Sequence, residues 1–149
     1  MAPSPVLRLV DAVTIPVPDL NEGLRFYRDQ LGHQLLWRND DIGQAGLQLP
    51  DSTTEIVLST DVGYAPTWLV ASLDEALDHI TAAGGQVVDQ ARTIPVGRLA
   101  VVADPFGNRL VLLDLSEGRY VTNAAHEVVG VVRSPSGPTT VNEREPHQN

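Results

Sequence analysis

An α+β fold of two tandem βαβββ modules is what the sequence predicts. The strands of both modules curve into one cup, and the helices lie on its outer face. Three observations predict it. The strand and helix signals run in the order βαβββ and then start again in the same order. The two halves also align at an offset of 53 residues: Ala12 meets Ala65, Thr14 meets Thr67, Val17 meets Val70, Leu20 meets Leu73, Leu24 meets Leu77 and Gly32 meets Gly85. Finally, one such unit cannot bury both faces of its own sheet, whereas two side by side can, leaving a concave inner face open.

The elements follow in order. Residues 1–8 are Pro-rich and predict a flexible N-terminus. Leu9–Val17 alternates: Val13, Ile15 and Val17 face one way, and the small Ala12, Thr14 and Pro16 face the other. Asp19–Leu31 carries Leu20, Leu24, Tyr27 and Leu31 at helical spacing and stops at Gly32, the usual residue past a helix end. Gln34–Arg38, Gly46–Leu49 and Glu55–Thr60 read as three strands, divided by turn-prone Asn39–Asp41 and Pro50–Ser52.

The second module repeats this. Thr67–Val70 is a strand. Ser72–Ala83 is a helix opened by a capping box of Ser72 and Glu75 and closed by Gly84-Gly85. Gln86–Gln90, Arg98–Ala103 and Arg109–Leu115 are strands, the last two joined by the tight turn Asp104-Pro105-Phe106-Gly107-Asn108. One domain over 9–116 is expected, with module one at 9–60 and module two at 65–116. Residues 117–149 are a partly disordered extension whose one apolar run, Val128–Val132, is an edge strand, a segment that docks on a partner chain, or part of a loose tail.

Bulk properties narrow the function. The 149 residues suffice for one domain, and a formal charge of −9 repels phosphate backbones and anionic membranes. Nucleic acid and membrane are therefore not expected partners. There is no cysteine, which removes disulfides and thiolate chemistry. No window reaches the ~18 apolar residues of a membrane helix. No signal peptide is visible in MAPSPVLRLV, so the cytoplasm is the expected compartment.

VTIPVPDLNEGLRFYRDQLG, VASLDEALDHITAAGG and ADPFGNRLVLLDL resemble the vicinal oxygen chelate superfamily, the glyoxalase, bleomycin-resistance and extradiol dioxygenase group, from about Leu9 to Leu115. The resemblance implies the glyoxalase-like cup and a homodimer. It also implies four cup-facing positions that carry metal ligands in metal-dependent members. These fall on Ala12, Val57, Ala65 or Thr67, and Val111, none of which ligates a divalent cation well. No metal and no cofactor is therefore expected.

The expected ligand is a small organic molecule, held in a cup lined by Ala12, Thr14, Trp37, Val57, Thr67, Arg98 and Val111. One reading is a sequestering protein for a drug-like or natural-product ligand. The other is a metal-independent lyase, isomerase or cyclase with Glu55 as base, since Glu55 is the one carboxylate in cup phase. Trp37 would stack on the ligand, unless it packs in the core. Arg98 would pair with a ligand carboxylate or phosphate, unless it forms a rim salt bridge. His33, His79, His126 and His147 fall outside the cup strands. Asp114 and Trp68 have the helix-facing phase, and Arg109 is expected at the exposed turn.

Overall fold

The computed structural model describes residues 4–132. Its strands are β1 (Leu9–Pro16), β2 (Leu35–Asn39), β3 (Gln44–Leu49), β4 (Ser52–Ser59), β5 (Ala65–Leu69), β6 (Gln86–Ile94), β7 (Gly97–Ala103), β8 (Arg109–Asp114), β9 (Arg119–Thr122) and β10 (Val128–Val132). The helices are α1 (Leu20–Leu24) and α2 (Leu73–Ala82). The first eight strands form one sheet in the order β2-β3-β4-β1-β5-β8-β7-β6. The two modules therefore join in the middle, where β1 runs antiparallel to β5 with Ala12 opposite Thr67 and Thr14 opposite Ala65. Each opening strand also pairs in parallel with the last strand of its own module. Thr14 lies beside Val57, and Thr67 lies beside Val111 in the equivalent place.

Strand alternation sorts side chains between two faces. On the outer face, Leu20 and Leu24 of α1 pack with Ala45, Leu47 and Leu58. Leu73 and Ala76 of α2 pack with Ala100, Val102 and Leu112. On the inner face, Ala12, Trp37, Val57, Val96 and Tyr120 form a third cluster. Both helix starts are capped: the Asp19 carboxylate accepts from Glu22 N–H at 2.9 Å, and the Ser72 hydroxyl oxygen accepts from Glu75 N–H at 3.3 Å. Asp114 reaches from β8 to the start of α2 and accepts from Leu73 N–H at 3.0 Å, which explains why a carboxylate is tolerated on the buried helix face.

Two elements differ from the sequence expectation. The helix expected over Asp19–Leu31 is α-helical only to Leu24. It continues over Arg25–Gln30 as a π-helix, with Leu31 N–H bonded to Phe26 O at 2.9 Å. No side chain of that wider turn is fully buried, and Tyr27 packs partly buried against the Leu20–Leu24 cluster. The second difference concerns the extension. Val128–Val132 does not join the main sheet edge. It pairs antiparallel with β9, a strand the sequence did not suggest, in a separate two-stranded sheet. Arg38 N–H to His126 O at 2.8 Å and Glu117 N–H to Val96 O at 3.0 Å tie this hairpin to β2 and to the residue before β7.

Candidate functional site

The inner face holds a partly open cavity of about 90 Å³. Its walls are largely hydrocarbon. Ala12 and Thr14 of β1, Val57 of β4, Thr67 of β5 and Val111 of β8 all line it, as strand alternation predicts. Trp37 lines it too. Through Val62, Leu99 and Val111 the chamber adjoins a wider outer basin of about 490 Å³. Charged side chains edge that basin: Asp61, Asp89, Arg92 and Arg109.

Glu55 is the polar centre of the chamber. It sits on β4 beside Ala12, and only 4% of its surface is exposed. Trp37 Nε1–H donates to Glu55 Oε1 at 2.8 Å, and both side chains are buried. The indole reaches β4 by crossing β3 at Gly46. A Cβ placed there would collide with the Trp37 ring. Gly46 is thus required by a close approach, and it lets one side chain orient another two strands away.

The roof of the chamber comes from β9. Tyr120 packs against Trp37 with ring centroids 4.9 Å apart and planes inclined at 45°. Burial raises the pKa of its hydroxyl above the ordinary value, and the nearby Glu55 charge adds to this. A hydrogen bond with Asn39 acts the other way. Arg119, also 4% exposed, holds Nη1 4.0 Å from Asp11 Oδ1. Asp11 faces the chamber beside Ala12 because a bulge between Val10 and Ala12 breaks the alternation of β1. No sequence signal exposed Asp11, Arg119 or Tyr120 as site residues.

Arg98 is not brought to the site. Leu99 faces the cavity, so Arg98 faces α2, where Nη1 donates to Asp74 Oδ1 at 2.9 Å. Arg109 is exposed at the outer basin, and Trp68 packs on the α2 side. His33 bonds through Nδ1 to Gln48 O at 3.0 Å, His79 is in the last turn of α2, and His126 is in the β9–β10 turn at φ 66°. His147 lies outside the described residues.

The chain matches the model of the glyoxalase/bleomycin resistance protein/dioxygenase superfamily over residues 9–112. The chain belongs to that superfamily. Solved structures of the superfamily fold include methylmalonyl-CoA epimerase from Mycobacterium tuberculosis, 25% identical, covering 76% of this chain and 92% of that one, with TM-score 0.60. A hypothetical protein from Bacillus halodurans C-125 is 18% identical, over 71% and 93% of the two chains, with TM-score 0.58. The Streptomyces coelicolor methylmalonyl-CoA epimerase in complex with 2-nitronate-propionyl-CoA is 22% identical, over 72% and 97%, with TM-score 0.57. No curated protein matches the sequence.

Superfamily membership raises the question of a metal. The positions the resemblance assigns to ligands are Ala12, Val57, Ala65 or Thr67, and Val111. Hydrocarbon side chains cannot coordinate an ion, and a lone threonine hydroxyl is a poor ligand. Glu55 stands one inward-facing position before Val57 and brings one carboxylate. Among the described residues no three His, Cys, Asp or Glu side chains come together to hold an ion. This donor set does not fit a metal. No helix among the described residues is long and apolar enough to cross a membrane.

Proposed function

We propose that the protein binds a small organic molecule in the cup without a metal, with Glu55 as the polar contact. The observation that carries this reading is the buried Glu55 carboxylate, fixed by Trp37 in the wall of a mostly apolar chamber. A buried carboxylate costs several kcal/mol of desolvation, of order the whole stability of a small domain. Such groups concentrate where they meet a ligand. The chamber sets the ligand's size. About 90 Å³ is less than the ~150 Å³ of a cavity that takes benzene. A small head therefore enters, and the rest of a drug-like or natural-product molecule occupies the outer basin. Apolar burial contributes about 25 cal/mol per Å² covered. A homodimer in the cytoplasm completes the reading, and exposed Val129 and Val132 on β10 offer apolar surface for a second copy.

The test is a screen of short-chain organic compounds by ligand-detected NMR, against wild type, Val111→Phe and Glu55→Gln. Binding should be lost when Val111→Phe fills the chamber. Compounds bearing an N–H or O–H group should also weaken in Glu55→Gln. Hits indifferent to both substitutions would end the reading.

A second reading is favoured by the same orientation of Glu55. The neighbours named methylmalonyl-CoA epimerases act, by that name, on a thioester. In a metal-independent isomerase built on this cup, Glu55 Oε takes a proton from carbon next to a carbonyl. The C–H electron pair moves onto the carbonyl oxygen, and the proton then returns to the carbon skeleton. Incubation of short acyl thioesters in ²H₂O tests it: deuterium incorporation is expected for wild type and absent for Glu55→Gln. Equal exchange in both would exclude Glu55 as the base.

A further inference from the structure

We infer that Thr14 and Thr67 form a two-hydroxyl seat in the chamber wall, and that this seat takes an uncharged carbonyl oxygen of the ligand, from a ketone, ester or amide head. The inference rests on the small-molecule reading and specifies the group that the chamber grips. Thr14 stands on β1 and Thr67 on β5, at equivalent places in the 53-residue repeat. Both line the chamber, and they are 4% and 5% exposed. Each belongs to the opening strand of its module, so the seat exists only where the two modules meet.

Neither hydroxyl makes a hydrogen bond to another described residue. Threonines elsewhere in the chain do: Thr54 Oγ1 donates to Val10 O at 2.9 Å, and Thr81 Oγ1 to Leu77 O at 2.7 Å. The Thr14 and Thr67 oxygens are not sealed within the wall, as Thr122 Oγ1 is, so they open on the chamber. A hydroxyl withdrawn from water without a partner costs free energy, and buried polar groups in native folds are as a rule bonded. Valine has nearly the same shape and suits a strand equally well, so packing does not call for threonine at either place.

Register brings the two together. In the β1–β5 ladder Thr14 lies opposite Ala65, and Thr67 lies opposite Ala12. The threonines are thus diagonal neighbours on one face, about 7–8 Å apart at Cα and closer at the side chains. The alanine opposite each leaves room between them. An oxygen lodged there accepts from both Oγ1–H donors, because each hydroxyl turns its hydrogen to suit. A β-branched side chain has few rotamers, so little freedom is lost when the ligand binds. Hydroxyls are uncharged donors, which match a neutral carbonyl and do not neutralise an anion. The wall beside the seat is Ala12, Val57 and Val111, hydrocarbon that offers no competing donor.

The test measures dissociation constants of 2-butanone and of 2-methyl-1-butene, the same skeleton with a methylene in place of the carbonyl oxygen, by saturation-transfer NMR on the full chain. Variants are Thr14→Val, Thr67→Val, the double valine variant and the double serine variant Thr14→Ser/Thr67→Ser. Thermal unfolding is followed for each without ligand. Each single valine should weaken 2-butanone about threefold to tenfold, and the pair about tenfold or more, while the alkene binds within about twofold of wild type or more tightly. The double serine variant keeps both hydroxyls and should hold the ketone better than the double valine variant does. The unliganded valine variants should melt at or above the wild-type temperature, because no bond within the protein is lost. Unchanged ketone binding in the double valine variant, an equal loss of ketone and alkene, or a melting temperature several degrees below wild type would each overturn the inference. A wild type that binds the alkene and not the ketone overturns it too, and leaves the small-molecule reading standing. If wild type binds neither probe, both fall.

Discussion

Trp37 donates to a buried carboxylate, and that single bond has a measurable worth. Replacing Trp37 by Phe keeps an aromatic ring against Tyr120 but removes the N–H 2.8 Å from Glu55 Oε1. A hydrogen bond to a charged group contributes about 1.5–3 kcal/mol. Trp37→Phe also leaves a void, which adds a packing loss unrelated to the bond. A double-mutant cycle with Glu55→Met, close in volume and without an acceptor, subtracts that loss. In the Glu55→Met background Trp37→Phe should cost only the packing term. In wild type it should cost about 1.5–3 kcal/mol more. With an m-value of ~1–3 kcal/mol/M, the extra loss moves the urea midpoint by roughly 1 M, easily resolved by far-ultraviolet circular dichroism. A coupling below about 0.5 kcal/mol, the ordinary deviation from additivity of unconnected sites, would refute the bond as the device that fixes Glu55.

Further expectations follow from the same geometry. Gly46→Ala should displace the indole and change Trp37 fluorescence while destabilising the fold, since a methyl there collides with the ring; an unchanged emission spectrum would contradict the close approach. Asp114→Ala should cost about 1–3 kcal/mol in urea denaturation, because it leaves Leu73 N–H buried without its acceptor; a loss within experimental error would mean that α2 is capped by Ser72 alone. Tyr120 makes stability pH-dependent. Its folded pKa is raised, so between the unfolded value, about 10, and the folded one the folded chain binds more protons than the unfolded chain. Stability is complete below about pH 10 and declines as pH rises through the folded value. Tyr120→Phe should remove that alkaline decline, and an identical decline in the variant would contradict the burial of the hydroxyl.

The duplicated frame was legible because it is written twice, in apolar period and in the Ser72 cap and glycine stops. The cup face of β1, β4, β5 and β8 was legible as well, since Ala12, Thr14, Val57, Thr67 and Val111 follow strict alternation within well-marked strands. Arg98 was not, because Leu99, Ala100, Val101 and Val102 are all apolar and leave the phase of β7 undetermined. Asp11 was hidden by a bulge, which shifts a side chain between faces with no mark in composition. Arg119 and Tyr120 reach the cup through a short hairpin whose position depends on contacts with β2 and with the residue before β7. Nothing local in SEGRYVTN announces such contacts.

The central claim is a metal-independent cup that holds a small organic molecule at Glu55. A native mass spectrum of the purified full chain, untreated and after incubation with zinc, manganese and cobalt, tests it most directly. The account predicts no stoichiometric divalent ion on any subunit, and a mass increment from a retained or added small organic molecule that Val111→Phe abolishes. One chelator-removable ion per subunit, with no organic adduct under any condition, would contradict it.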